Sequence, residues 1–319
     1  MRRSFTVFLL INFAILAYAL ASVWTLLTLL VVDGSADGIS FAETYETDTG
    51  SDPPRQVEVI PRIIHQTYKD DVSLPAHWEA ARQTCLELHP PEEGWEYKLW
   101  TDKTSRDFVA AEYPWILDTF DGYKYPIQRA DAIRYLVLSH YGGIYIDMDD
   151  GCQRKLDPLL AYPAWLRRTV PTGISNDVMG SVPRHPFFVK AVDALPRYNR
   201  NWLLPYITVM ASTGPLFLSL IWRHYDDEIK GEEAQRVRIL TIDQYKGNET
   251  SFFEPCSGSS WHEGDAKLVF WMRDHWVLLV VVGFFVAYLV FLRAWRVHKR
   301  LSRRCRETVV GLLKEEDLV

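Results

Sequence analysis

Asp147 and Asp149, in the stretch GGIYIDMDDG, are two carboxylates one residue apart at the end of an apolar run, and Asp150 follows directly. Acidic groups this close repel one another unless solvent or a cation lies among them. A hard divalent ion held by such carboxylates neutralises charge developing on phosphate oxygens. A solvated turn uses the same residue types, and one D-x-D is expected by chance in roughly 300 residues. The neighbours carry more. Upstream, Asp131 and Arg134 are three apart and share one face of a helix, where they could also simply pair with each other. That helix stops at a double glycine and feeds straight into the acidic segment. Strand alternation in IYIDMD sets Tyr145, Asp147 and Asp149 on one face and Ile144, Ile146 and Met148 on the other. Asp150 is expected to face solvent.

The elements that must position these groups follow from periodicity. Ile127, Ala130, Ile133, Leu136 and Val137 recur at helical spacing from Pro126 to His140, between a proline start and Gly142. VEVIPRIIHQTY predicts a strand edged at Pro61, and WEYKLWT a second. Thr101 or Asp102 caps a helix to Tyr113, and Pro114 opens a short one to about Phe120. Strand, helix, strand in this order predicts an α/β sheet. The charge-free stretch 203–222 is broken by Pro205, Gly214 and Pro215 and is expected to be buried core.

The 319 residues are 48% hydrophobic and carry a net charge of -6, which argues against a nucleic-acid partner. Residues 5–32 hold no charge, enough to cross a bilayer, and continue past the cleavage-like Ala19 and Ala21. A second apolar run, 277–292, lies between Trp276 and Trp295 and precedes a basic tail. The expected organisation is a cytosolic N-terminus (1–4), an anchor (5–32), a flexible lumenal stem (33–56), a folded domain (57–265), a membrane-proximal connector (266–276), a transmembrane helix (277–292) and a basic cytosolic tail (293–319). The positive-inside rule puts both termini in the cytosol. Cys85, Cys152 and Cys256 then lie in an oxidising lumen that permits one disulfide and one thiol, with no pairing assigned, while Cys305 sits in the tail. Asn248 opens an N-x-T sequon.

The block QRADAIRYLVLSHYGGIYIDMDDG resembles the sugar-binding D-x-D segment of glycosyltransferase family 32, the yeast-type mannosyltransferases. With IPRIIHQTYK, PTGISNDVMGS, STGP and SSWHEGDAK it is most like the fungal mannosyl phosphorylinositol ceramide synthase catalytic subunits, over about residues 57–265. The resemblance implies a GT-A type domain, a Rossmann-like mixed sheet flanked by helices, with transmembrane helices at both ends. It implies a Golgi enzyme that moves mannose from GDP-mannose to inositol phosphoceramide with retained configuration, using Mn²⁺ or Mg²⁺. A membrane-bound regulatory subunit is a further implied partner. By resemblance Asp149 ligates the metal, Asp147 contacts the ribose or sugar, and Asp131 and Arg134 hydrogen-bond the donor sugar. His65 lines the nucleotide pocket, Trp261 and His262 close the donor and metal site, and Asn176 and Asp177 face the acceptor, with Asp177 orienting its hydroxyl. Two alternatives remain: a hexosyltransferase acting on protein-linked glycans, and a membrane-tethered carbohydrate-binding or scaffolding protein.

Overall fold

The structure is a computed structural model. It describes residues 57–256 with gaps at 71, 73, 170–171, 230–231, 233–234 and 246–248. It also describes residues 34–45 and 264–283, and scattered positions between 13 and 32 and between 285 and 300. In chain order the first unit comprises β1 (Gly38–Ile39), α1 (Phe41–Tyr45), β2 (Ile63–Thr67), α2 (Ala76–Leu88), β3 (Glu96–Trp100), α3 (Asp102–Glu112), α4 (Leu117–Asp121) and α5 (Pro126–Tyr141). It continues with β4 (Gly143–Ile146), β5 (Asp150–Cys152), β6 (Ala164–Arg168), β7 (Ile174–Ser181), α6 (Pro186–Tyr198), α7 (Pro205–Ser212), α8 (Pro215–Ile229), β8 (Val237–Leu240) and β9 (Phe253–Pro255).

Local chemistry sets the boundaries. Thr101 caps α3 by accepting from the Thr104 N–H, while the Thr104 hydroxyl accepts from the Thr101 N–H. Proline opens α5, and Gly142 and Gly143 turn its end into β4 at φ 67° and 92°. A side chain fails there twice over, since a Cβ on Gly143 would lie 2.6 Å from the Ile63 carbonyl oxygen.

Seven strands form one sheet in the order β1-β8-β6-β7-β4-β2-β3. All run parallel to their neighbours except β7, which is antiparallel to both β4 and β6. Apolar clusters lie on both faces: Leu136, Tyr145, Leu166, Phe187 and Phe217 in one, and Ile64, Ile144, Ile146, Trp165 and Phe253 in the other. This is the mixed sheet flanked by helices expected of the glycosyltransferase fold. A two-stranded sheet, β5 with β9, stands apart and follows the acidic segment. A disulfide joins Cys85 in α2 to Cys152 in β5, leaving Cys256 as the free thiol among the described residues.

Part of the expected stem is not a flexible tether. Residues 38–39 pair with β8 as an edge strand, Asp37 is ion-paired with Arg236, and Glu43 meets Arg238 at 3.0 Å. The acidic composition that resembled a linker is instead complementary to the arginines of β8. The end of the expected anchor is likewise docked: Leu29 is 3% exposed in the main core and its carbonyl accepts from the Thr172 hydroxyl.

Pro205–Ile229 is long and apolar enough to cross a bilayer by composition, yet more than half of its most apolar stretch is buried in the protein. It is broken between α7 and α8 at Thr213 and Gly214, and Phe217, Leu218, Ile221 and Trp222 enter the core. The expectation of a core segment agrees with this placement. Residues from His262 onward form a second unit, in which α9 spans Gly264–Asp274. Within that unit Trp276, Val277, Leu278, Val281 and Phe285 expose half or more of their surface.

Candidate active site

β4 ends at Ile146, so Asp147 and Asp149 do not lie on a pleated strand but on a turn, closed by the Asp150 N–H donating to the Asp147 carbonyl at 3.1 Å. The turn is fixed from both sides. The Asp147 N–H donates to the Asp177 carbonyl at 2.8 Å, and the Cys256 N–H donates to the Asp149 carbonyl at 2.6 Å. Asp177 is brought here by an irregularity in the β6–β7 pairing, where register shifts between Leu166 and Arg167 and skips residues 176–178. Such bulges re-aim side chains at the rims of sites.

Behind the turn stands a buried polar network. The Tyr145 hydroxyl donates to Asp147 Oδ1 at 2.7 Å, and Arg134 donates to Asp147 Oδ2 at 3.1 Å. Arg134 also donates to the Asn176 carbonyl at 2.7 Å and meets Asp131 at 3.1 Å. Asp131 accepts from the Asn176 amide and the Thr213 hydroxyl, each at 3.0 Å, and Asn176 donates to the Tyr135 hydroxyl at 2.9 Å. Asp131, Arg134 and Asn176 are each about 95% buried or more. Every strong polar atom in this layer has a partner, so the network fixes the Asp147 rotamer rather than presenting free groups. Asp131 and Arg134 therefore do not extend toward a donor sugar as expected; they are buried in the network that braces Asp147. Asn176 likewise faces inward, leaving Asp177 as the acceptor-side candidate at the rim.

Two further expectations are overturned. His65 is fully buried: its Nε2 donates to the Gly142 carbonyl at 2.9 Å and its Nδ1 accepts from Trp100 Nε1 at 3.1 Å. Both nitrogens are used, and burial pulls its pKa down to about 4, so it packs the strand-helix junction and lines no pocket. Asp150 is not the solvent-facing acid but is 4% exposed, paired with Arg167 at 3.3 Å. The same Arg167 holds Asp177 at 2.8 Å and lies over the Tyr245 ring at 4.1 Å. Tyr145 was expected on the face of Asp147, though without its hydrogen bond, whereas Arg167, Tyr135 and Thr213 were not foreseen; Thr213 lies in STGP, but nothing local marks it as the partner of Asp131. Trp261, His262 and Asn248 lie outside the described residues.

Five carboxylates (Asp131, Asp147, Asp149, Asp150 and Asp177) face two guanidinium groups (Arg134 and Arg167), an excess of negative charge. Burial, reinforced by the Asp147 charge, raises Asp149 to about 7. Burial also raises Asp131 to about 6 and lifts Asp147 and Asp150. Asp149 is half-buried and has no side-chain partner among the described residues. No three His, Cys, Asp or Glu side chains enclose a common point among the described residues. A hard divalent cation fits this donor set. Ions such as Mg²⁺ bind through one or two carboxylates and complete their shell with water and substrate phosphates. Asp149 and Asp147 would hold it.

Residues 75–165 match the glycosyltransferase sugar-binding region containing the DXD motif. The chain is 50% identical over 98% of its length to mannosyl phosphorylinositol ceramide synthase SUR1 of Saccharomyces cerevisiae, covering 81% of that protein. It is 47% identical to CSH1, of the same name and organism, covering 91% of this chain and 77% of that one. Inositol phosphoceramide mannosyltransferase 3 of Schizosaccharomyces pombe is 47% identical over 79% of this chain and 70% of its own. Identity this high over most of both chains means that the chain belongs to this family of DXD-containing glycosyltransferases, the inositol phosphoceramide mannosyltransferases.

Proposed function

We propose that the protein transfers mannose from GDP-mannose to the inositol head group of inositol phosphoceramide, with retention of configuration and with Mn²⁺ or Mg²⁺ as cofactor. The observation that carries this reading is the intact acidic turn, Asp147 braced by Arg134 and Tyr145 beside an unpartnered Asp149, in a chain half identical to a named synthase. A non-catalytic carbohydrate-binding or scaffolding protein has no need to assemble five carboxylates around two arginines at a cost in burial.

The divalent ion supplies charge neutralisation on the diphosphate as it leaves. Arg134 and Tyr145 hold both oxygens of Asp147 in one orientation, and Asp147 orients the donor sugar or ribose. Asp177, anchored by Arg167, orients the acceptor hydroxyl. The bond from the sugar C1 to the β-phosphate oxygen breaks, the acceptor oxygen bonds to C1 on the same face, and the hydroxyl proton passes to the departing phosphate. No carboxylate is assigned as a covalent nucleophile.

The Cys85–Cys152 disulfide supports an oxidising compartment, in keeping with a lumenal domain at the Golgi membrane. The exposed apolar side chains at 276–285 support a second membrane segment beside an N-terminal anchor, and a membrane-bound regulatory subunit belongs to the same reading. The test is to incubate membranes carrying the wild type or Asp149→Ala with labelled GDP-mannose, Mn²⁺ and inositol phosphoceramide. Mannosylated lipid is expected from the wild type alone. No product from the wild type, or equal product from both, rejects the reading.

A further inference from the structure

The turn between α6 and α7 carries side chains that the core does not use. Leu203 is fully exposed at 103% and Trp202 is 49% exposed, the first an extreme value for an aliphatic residue. The tip is not loose. Thr208, 2% exposed, accepts from the Trp202 N–H at 2.9 Å, and its hydroxyl contacts the Trp202 and Leu204 carbonyls at 2.9 and 3.0 Å. The backbone is thus tied down while the apolar side chains are held out. Arg197 and Arg200 are exposed just before it. Not one Asp or Glu occurs from residue 194 to 225, in a chain whose net charge is -6.

Topology sets this tip at the end of the sheet where the acidic turn lies. α6 starts beside the end of α5, where the Arg184 N–H donates to the Ser139 carbonyl. It then runs back along α5 until Tyr198 meets Phe217, which itself packs on Tyr135. From the tip, α7 returns in eight residues, about 12 Å of helix, to Thr213, whose hydroxyl bonds Asp131. An aromatic and an aliphatic side chain held beside arginines is the pattern of an interfacial membrane contact: the apolar groups enter the headgroup layer and the cations meet its anionic groups.

We propose that the Trp202–Leu203 tip, with Arg197 and Arg200, is a docking element that seats the catalytic end of the domain on an anionic lipid surface. This rests on the reading of the acceptor as a membrane lipid, which it deepens by naming how the site is brought to the bilayer. A lipid surface is preferred over a protein partner because the exposed apolar area is small and protruding, and the stretch that carries it, residues 194–225, holds arginines and no acidic residue.

The test uses the full chain in vesicles of phosphatidylcholine containing about one-fifth phosphatidylinositol. Cys256 and Cys305 are replaced by serine, and an environment-sensitive fluorophore is placed on Leu203→Cys. A second protein carries the label on Glu112→Cys, at the opposite end of α5, where Glu112 faces His140. Blue-shifted emission at 203, with quenching by headgroup-level nitroxide lipid at least fivefold stronger than at 112, is expected. Equal, weak quenching at both positions overturns the proposal. A blue shift at 203 that lipid-borne nitroxide leaves unquenched marks burial against protein, a second copy included, and also overturns it. The double variant Trp202→Ser, Leu203→Ser is expected to raise KM for vesicle-borne inositol phosphoceramide severalfold with kcat retained, and an unchanged KM counts against docking. The fluorescence needs no turnover, so failure to mannosylate this lipid rejects the proposed function while leaving docking separately decided.

Discussion

Asp149 and Asp150 are adjacent acids with opposite roles. Asp149 is raised to about 7 by burial and the neighbouring Asp147 charge, which the Arg134 charge offsets only in part. Replacing it with asparagine removes a ligand and also removes repulsion. Asp149→Asn is therefore expected to lose about 100-fold or more in mannosyl transfer while melting no lower than the wild type; a marked fall in melting temperature would make the residue structural instead. Asp150→Ala leaves Arg167 buried with only Asp177, so it is expected to cost about 2 kcal/mol in chemical denaturation. An Asp150→Ala protein as stable as the wild type would show that the Arg167 pair contributes nothing. Asp147, Asp149, Asp131 and Arg134 were legible because their relation is local, one helix turn or one residue apart. Arg167 was not, because it reaches Asp150 only through strand pairing and a register shift that leaves no mark in the sequence. His65 was misplaced for a similar reason: its partners, Gly142 and Trp100, come from other elements.

Among elements, α5 and β4 were legible nearly to the residue, since proline, helical spacing and the double glycine each act locally. The tether between 34 and 45 was not, because its order comes from Arg236 and Arg238 some 200 residues away in sequence. β5 shows how remote contacts also hold the site. It has three residues, pairs among the described residues with β9 alone, and is fastened to α2 by the disulfide and by the Cys152 N–H donating to the Thr84 hydroxyl at 2.8 Å. So short a strand has little hold of its own. The bond closes a loop of 67 residues, for which chain entropy alone is worth about 4 kcal/mol. Cys85→Ser with Cys152→Ser is expected to lower the unfolding free energy by up to that amount. Transfer activity should fall too, because the acidic turn leads directly into β5. Unchanged stability together with unchanged activity would mean that the turn is held by the Asp177 and Cys256 contacts alone.

Across the whole molecule, three buried histidines on different elements link stability to pH. Burial lowers His65 in β2 and His185 at the start of α6 to about 4, and lowers His89 after α2 as well. Unfolded, each titrates near 6.5. Unfolding therefore takes up protons, so the stability these groups confer is complete above about pH 6.5 and shrinks as pH falls toward 4. Asp131 works in the other direction. Its folded value of about 6 lies above the ordinary carboxylate value, so the folded chain keeps a proton that the unfolded chain has released, and acidification favours folding through this group. The opposing slopes are separated by difference. Between pH 7 and 4.5, His65 alone should account for about 2 kcal/mol of lost stability in the wild type. His65→Gln, less stable at pH 7 because glutamine cannot serve both Gly142 and Trp100, lacks this loss. The gap between the two proteins should accordingly close as the medium is acidified. Denaturation curves that stay parallel over this range would mean that His65 titrates in the folded chain as it does in the unfolded one, and that burial and the Trp100 bond to its Nδ1 do not hold it neutral.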